Sequence, residues 1–368
     1  MPISNIENQN KYINIVISKI QTIRVYVNKE TGYLTNVTNI NMITGISEPL
    51  TTLKIDGIFN EPIMLPDTLI RLSIGGIFNQ PIILPNTLTT LRIDGLFNQH
   101  IVLPDTLYKL IIYGEFNQPI IIPGELEILY IHGKFNQPII MGLFITHFVI
   151  SGEFNQPIIL PSLIKLIIDG VFNQHIVVDH LEHLTKLVIC GEFNQPIILP
   201  DSLEELRIGG KFNQSFFLPN NIEKLEFNGE FNKPIIIPHM IEELNIRGKF
   251  NCPINLPDSL CDIVISGDYN QPLILPYSLN SLTINGEFNQ QTILPNHITT
   301  LEINGKFNQP IILPDRLNNL TIKGEFNQSI ILPKYLRTLV INRKYNYPFI
   351  LPDSIVNISI DDEKSSFI

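Results

Sequence analysis

The sequence predicts an all-β protein, a single elongated parallel β-solenoid of about sixteen 19-residue coils. Three observations lead to this. A Phe/Tyr-Asn pair recurs sixteen times between Phe59 and Tyr345, nearly always 19 residues apart. Self-similarity at a short fixed period marks a solenoid, in which each unit buries its apolar face only against its neighbours. Alanine and tryptophan are absent while Ile and Asn abound, which removes the best helix former and favours strands. Finally, 44% of residues are hydrophobic and 16% charged, enough apolar side chain to bury a core and far from a disordered composition. The period breaks at two steps, 18 residues from Phe154 to Phe172 and 21 from Phe172 to Phe193.

Each element of the coil follows from its residues. The unit reads F-N-Q-P-I-I-L-P-D-S-L-x-x-L-x-I-x-G-x, most cleanly from Phe193 to Lys211. In its closing L-x-I-x, residues such as Leu206 and Ile208 point to one face and their neighbours to the other, the period of a half-buried strand. One strand per coil stacks into a parallel sheet, and parallel pairing needs a return path. The P-I-I-L run is apolar enough for a second short strand bounded by prolines, so two sheets, or a sheet and an irregular side, enclose the core. The glycine from Gly57 to Gly324, replaced by Arg343 in the last coil, implies a turn with positive φ or close backbone approach. The Phe that follows fills the corner.

Residues 1–46 fall outside the repeat, with strand-like pieces at Ile13 to Ile17, Ile23 to Val27 and, after Thr31-Gly32, Tyr33 to Val37. A hairpin here is expected to cap the exposed sheet edge. Residues 47–368 form the solenoid, ending in a short charged cap at Asp361-Asp362-Glu363-Lys364.

An Asn follows the aromatic residue in all sixteen coils: Asn60, Asn79, Asn98, Asn117, Asn136, Asn155, Asn173, Asn194, Asn213, Asn232, Asn251, Asn270, Asn289, Asn308, Asn327 and Asn346. Stacked Asn side chains can satisfy backbone groups that a tight corner leaves unpaired, so the row is expected to be structural. From the fourth coil on the residue before the aromatic is mostly charged, with opposite charges mostly neighbours, as in Glu115, Lys134 and Glu153, though Val171 breaks the row; this predicts a surface ion ladder. The first three coils place Ile58, Ile77 and Leu96 there, and the N-terminal segment is expected to fold partly over them.

The outward residue of L-x-I is where function has room to vary. It runs Lys54, Ser73 and Arg92, then Ile111, Tyr130, Val149, Ile167 and Val188, then Arg207, Glu226 and Asn245. Five adjacent apolar residues make a stripe about 20 Å long, flanked by Tyr113, His132 and Cys190. Exposed patches of that kind mark partner sites, so Ile111, Tyr113, Tyr130, His132, Val149, Ile167 and Val188 are the predicted partner-binding residues. The competing account is that β-branched residues simply favour strands, or that a second protomer or a returning loop covers them.

Little in the sequence points to chemistry. The net charge of −10 arises from 35 acids and 25 scattered bases, with no footprint for nucleic acid. Cys190, Cys252 and Cys261 lack metal-binding or redox spacing and fit a reducing compartment. No signal-peptide pattern or membrane-length apolar run occurs, so an intracellular, cytoplasmic protein without membrane association is expected. His175, Asp179, His180 and His183 cluster in the oversized coil but match no zinc spacing, and neither a metal nor another cofactor is assigned. Acid pairs such as Glu204-Glu205 and Glu242-Glu243 read as solvated corners. No catalytic set stands out, and a non-enzymatic protein is predicted.

The F-N-Q-P unit, followed at fixed distance by I-x-L-P-x-S-L and the L-x-I strand, resembles the FNIP repeat, a leucine-rich-repeat relative expanded in social amoebae and in giant viruses that infect amoebae. The likeness covers residues 50–360, with local departures at His100 and His175, which replace the proline, and at Met141-Gly142, which replaces Leu-Pro. The resemblance implies a leucine-rich-repeat-like recognition module without chemistry, in the host cytoplasm if the chain is viral. Some family members resemble F-box substrate receptors and others carry kinase or GTPase modules; here the kinase glycine loop, GKS/T and HRD are missing, and the N-terminus reads as strand rather than F-box helix. The expected function is therefore binding of a protein partner, of unknown identity, through the sheet face. The alternatives are a substrate-recruiting subunit of a ubiquitin ligase and a structural rod that self-associates through the apolar stripe.

Overall fold

The computed structural model describes residues 12–17, 21–26 and 51–361. β1 (Tyr12–Ile17) and β2 (Gln21–Tyr26) pair antiparallel, with Tyr12 opposite Tyr26, and β1 lies beside β3 (Thr52–Ile55). The expected strand at Tyr33 to Val37 and the acidic end at Asp362-Glu363 lie outside the described residues.

The repeat folds as a β-solenoid of about sixteen turns with 17 parallel strands and no helix among the described residues. The chain divides into two compact units, 1–176 and 177–368, and the division falls within the 21-residue coil. In the first unit β3 to β9 (Lys165–Ile168) pair in parallel, each strand shifted by one repeat, so that Leu53 faces Leu72 and Ile55 faces Ile74. In the second, β10 (Lys186–Ile189) to β19 (Asn357–Asp361) do the same. The two extra residues of the long coil are taken up by tight turns around the buried Leu181, whose N–H donates to the Val178 carbonyl at 3.0 Å.

Alternation builds the strand side of the core. The Leu and Ile of each L-x-I point inward and are almost completely buried from Leu53 to Leu339. The return side differs from one of the two expectations: P-I-I-L forms no second sheet, and the irregular alternative is the one adopted. The run is three residues between prolines, which lack the N–H a ladder requires. It remains extended all the same, so its side chains alternate, Ile82 and Leu84 inward and Ile83 outward. A turn then reverses the chain, with the Leu88 N–H donating to the Pro85 carbonyl at 3.1 Å.

The corner is held by three stacked rows. The aromatic rings pile in parallel, 5.8 Å apart at Phe59 and Phe78 and 6.2 Å at Phe307 and Phe326. Each corner glycine sits over the glycine one coil earlier: a Cβ on Gly305 would stand 2.3 Å from the Gly286 carbonyl oxygen, so close approach alone excludes a side chain. Within each unit, the Asn side-chain oxygen of nearly every coil accepts the backbone N–H of the Asn one coil later, as from Asn136 to Asn117 at 2.9 Å and from Asn270 to Asn251 at 2.9 Å. The following Gln amide often shares that oxygen, Gln137 donating to Asn117 at 3.2 Å. A further row was not apparent in the sequence. The Ser/Thr of P-x-S/T-L donates its hydroxyl to carbonyls of the preceding coil, Thr106 to Asn86 at 2.8 Å and Ser278 to Leu260 at 2.8 Å.

Candidate functional site

The predicted stripe lies on the outward face of the sheet. In the first unit β6 (Lys109–Ile112), β7 (Ile128–Ile131), β8 (His147–Ile150) and β9 set Ile111 opposite Tyr130, Tyr130 opposite Val149, and Val149 opposite Ile167. These residues are less open than the sequence suggested. Ile111, Tyr130 and Ile167 are half-buried, and Val149 is only 9% exposed. Side chains on paired strands stand about 4.8 Å apart and cover one another's flanks, so an outward position in a hydrogen-bonded stack is not an open one. Val188 belongs to the second unit, where it is half-buried and faces Arg207. From there the outward row turns ionic, with Arg207 Nε 3.4 Å from Glu226 Oε1.

What the face does present is a cluster of rings and charges. The Arg92 guanidinium sits 4.4 Å over the Tyr113 ring, and Tyr113 stacks on His132 at 4.3 Å. Tyr130 meets His132 edge-on at 6.4 Å, with Lys109 Nζ 5.3 Å over its own ring. Asp94 holds Arg92 at 2.8 Å, and Ser151 Oγ is hydrogen-bonded to His132 Nδ1. Burial, reinforced by the Arg92 charge and opposed by Asp169, holds the His132 imidazole below its ordinary pKa and favours its neutral form. Stacked, restrained aromatic rings with cations at their faces are suited to recognition.

The remaining predicted features fall elsewhere. The ion ladder forms, Lys134 to Glu115 at 2.7 Å and Lys306 to Glu287 at 2.9 Å; both pairs are exposed and screened by solvent, so they fix register more than they stabilise. Ile58, Ile77 and Leu96 are 39, 41 and 50% exposed, and the segment expected to cover them falls largely outside the described residues. His180 Nδ1 lies 3.6 Å from Asp179 Oδ1, and no group of three or more His, Cys, Asp or Glu suited to a metal occurs among the described residues. No helix among them is long and apolar enough to cross a membrane.

A second surface escaped the sequence reading. The middle residue of the return run points into solvent in almost every coil, as with Ile121, Ile140 and Ile159 in the first unit and Phe217, Ile274 and Ile331 in the second. The signal was available: two adjacent isoleucines in an extended segment must point to opposite sides.

Comparison with known proteins agrees with this architecture. Residues 193–230, 212–249 and 269–306 match the FNIP repeat model. The solved structure of CroV588, a giant-virus protein described as a novel circular leucine-rich-repeat structure, is 31% identical with a TM-score of 0.66, over 84% of this chain and 59% of that one. This chain therefore spans 59% of the length of CroV588. YopM from Yersinia enterocolitica shares the fold at 19% identity and a TM-score of 0.54, over 84% of this chain and 78% of its own. No curated protein sequence matches. Residues 193–249 and 269–306 therefore carry FNIP repeats, on a leucine-rich-repeat-like β-solenoid fold.

Proposed function

We propose that the protein is a non-enzymatic recognition module that binds a protein partner through the sheet face of its first unit. Leucine-rich-repeat-like folds generally serve as protein-interaction scaffolds. The observation that carries the reading is the Arg92, Tyr113, His132 and Tyr130 cluster, whose rings are already fixed by stacking at 4.3 and 6.4 Å. Tyr and Arg dominate binding hot spots, and side chains ordered before binding lose less entropy on association. Ile111 and Ile167 complete an apolar floor, while Val149 is too buried to contribute much.

The test is capture of partners from amoeba lysate with the wild type, a Tyr113→Ala, Tyr130→Ala double variant, and a Thr283→Ala, Thr321→Ala control on the sheet face of the second unit, all verified as folded. The tyrosine variant is expected to bind the captured partner about 30-fold more weakly and the control to bind as the wild type does. Equal capture by all three would retire the site. A captured ligase subunit would point instead to the substrate-recruiting role.

A further inference from the structure

The return side of the second unit carries an uninterrupted apolar ridge. In five consecutive coils the outward residue is Ile274, Ile293, Ile312, Ile331 or Ile350, and each is between 87 and 90% exposed. Nothing within the coil requires this, because Asn255 holds the same position one coil earlier and is exposed too. The ridge is notched between coils. A groove of about 380 Å³ between Ile312 and Ile331 is lined by Leu313, Asp315, Pro333 and Lys334. The first unit repeats the form, with a groove of about 460 Å³ between Ile140 and Ile159, lined by Leu143, Pro157 and Pro161.

We propose that this ridge is a self-association surface, on which a second copy of the chain lays its own isoleucines antiparallel across a two-fold axis at the notch between Ile312 and Ile331. Three features select a second copy as the occupant. The outward isoleucines recur once per coil, and another copy has the same period, so Ile312 meets the other copy's Ile331 and Ile293 its Ile350. The ridge itself carries no charge, so like surfaces do not repel. Asp315 and Lys334, one coil apart at the rim of one notch, come within reach of each other's counterparts across a two-fold axis through that notch. The area suffices as well: the four paired isoleucines with their flanking prolines and leucines offer on the order of 800 Å² per copy, what a standard specific interface buries on each side. The contact is isologous and closes on itself. It lies on the opposite side of the coil from the sheet face and does not depend on the function assigned there.

Sedimentation velocity across a concentration series up to about 100 μM tests this with the full chain. The comparison is between wild type and an Ile293→Asn, Ile312→Asn, Ile331→Asn triple variant, in which each new residue copies the natural Asn255. The wild type is expected to pass from monomer to dimer as concentration rises. The triple variant is expected to stay monomeric with unchanged circular dichroism and Tm. A monomeric wild type throughout the series, or a triple variant that dimerises as the wild type does, overturns the proposal. So does growth beyond a dimer, which an isologous contact forbids. The Tyr113→Ala, Tyr130→Ala variant is expected to dimerise normally, and loss of the dimer there would move the contact to the sheet face.

Discussion

The two sides of each coil treat similar side chains differently. On the strand side, outward Ile111 and Ile167 are half-buried and Val149 nearly closed; on the return side, outward Ile140 and Ile159 are 91 and 89% exposed. Residue type does not account for this, since both sets are β-branched and apolar. The hydrogen-bonded ladder does. It draws successive strands together until their outward side chains shield one another, whereas the return run, closed by prolines, has no ladder and leaves its outward residue standing free. In a solenoid, outward therefore means two things, and the open apolar surface lies where the backbone is unpaired.

That contrast can be broken at graded cost. Leu320→Ala, at a fully buried strand position, should remove about 2–5 kcal/mol of stability through lost transfer energy and an unfilled cavity, read as a fall in the urea midpoint. Asn117→Ala acts at the corner that joins the two sides. It strips the partner from the part-buried Asn136 N–H and from the Gln137 amide, and should cost about 1–2 kcal/mol in the same measurement. Ile331→Asn, one residue from the inward Ile330 at 6% exposure, should change monomer stability by no more than about 0.5 kcal/mol, measured at a concentration where the chain is monomeric. A large loss there would mean that the ridge is packed within the coil and that the contrast between the sides is false.

Much of the molecule was legible from periodicity. The 19-residue spacing locates every coil, the L-x-I alternation locates all seventeen parallel strands, and the glycine in front of each aromatic marks a corner where backbone meets backbone. The candidate site was legible only in part. The sequence placed Tyr113, Tyr130 and His132 on one face, because register follows from the repeat. It did not reveal that Arg92 caps Tyr113 or that Val149 is closed, because these depend on rotamers and on the width of neighbouring side chains. Nor did it identify the hydroxyl row of Thr106 and Ser278, whose carbonyl acceptors lie in the preceding coil.

By itself, then, the sequence determined the fold class, the coil length, the parallel register and the inward-facing core, since each follows from a period of 19 or 2 and local side-chain chemistry. The tertiary structure alone decided whether the P-I-I-L run would become a strand and which outward apolar row would stand open to solvent. Both outcomes depend on whether the backbones of adjacent coils hydrogen-bond, which the prolines bounding the run prevent on the return side, and on how closely neighbouring coils stack, which no single repeat reveals.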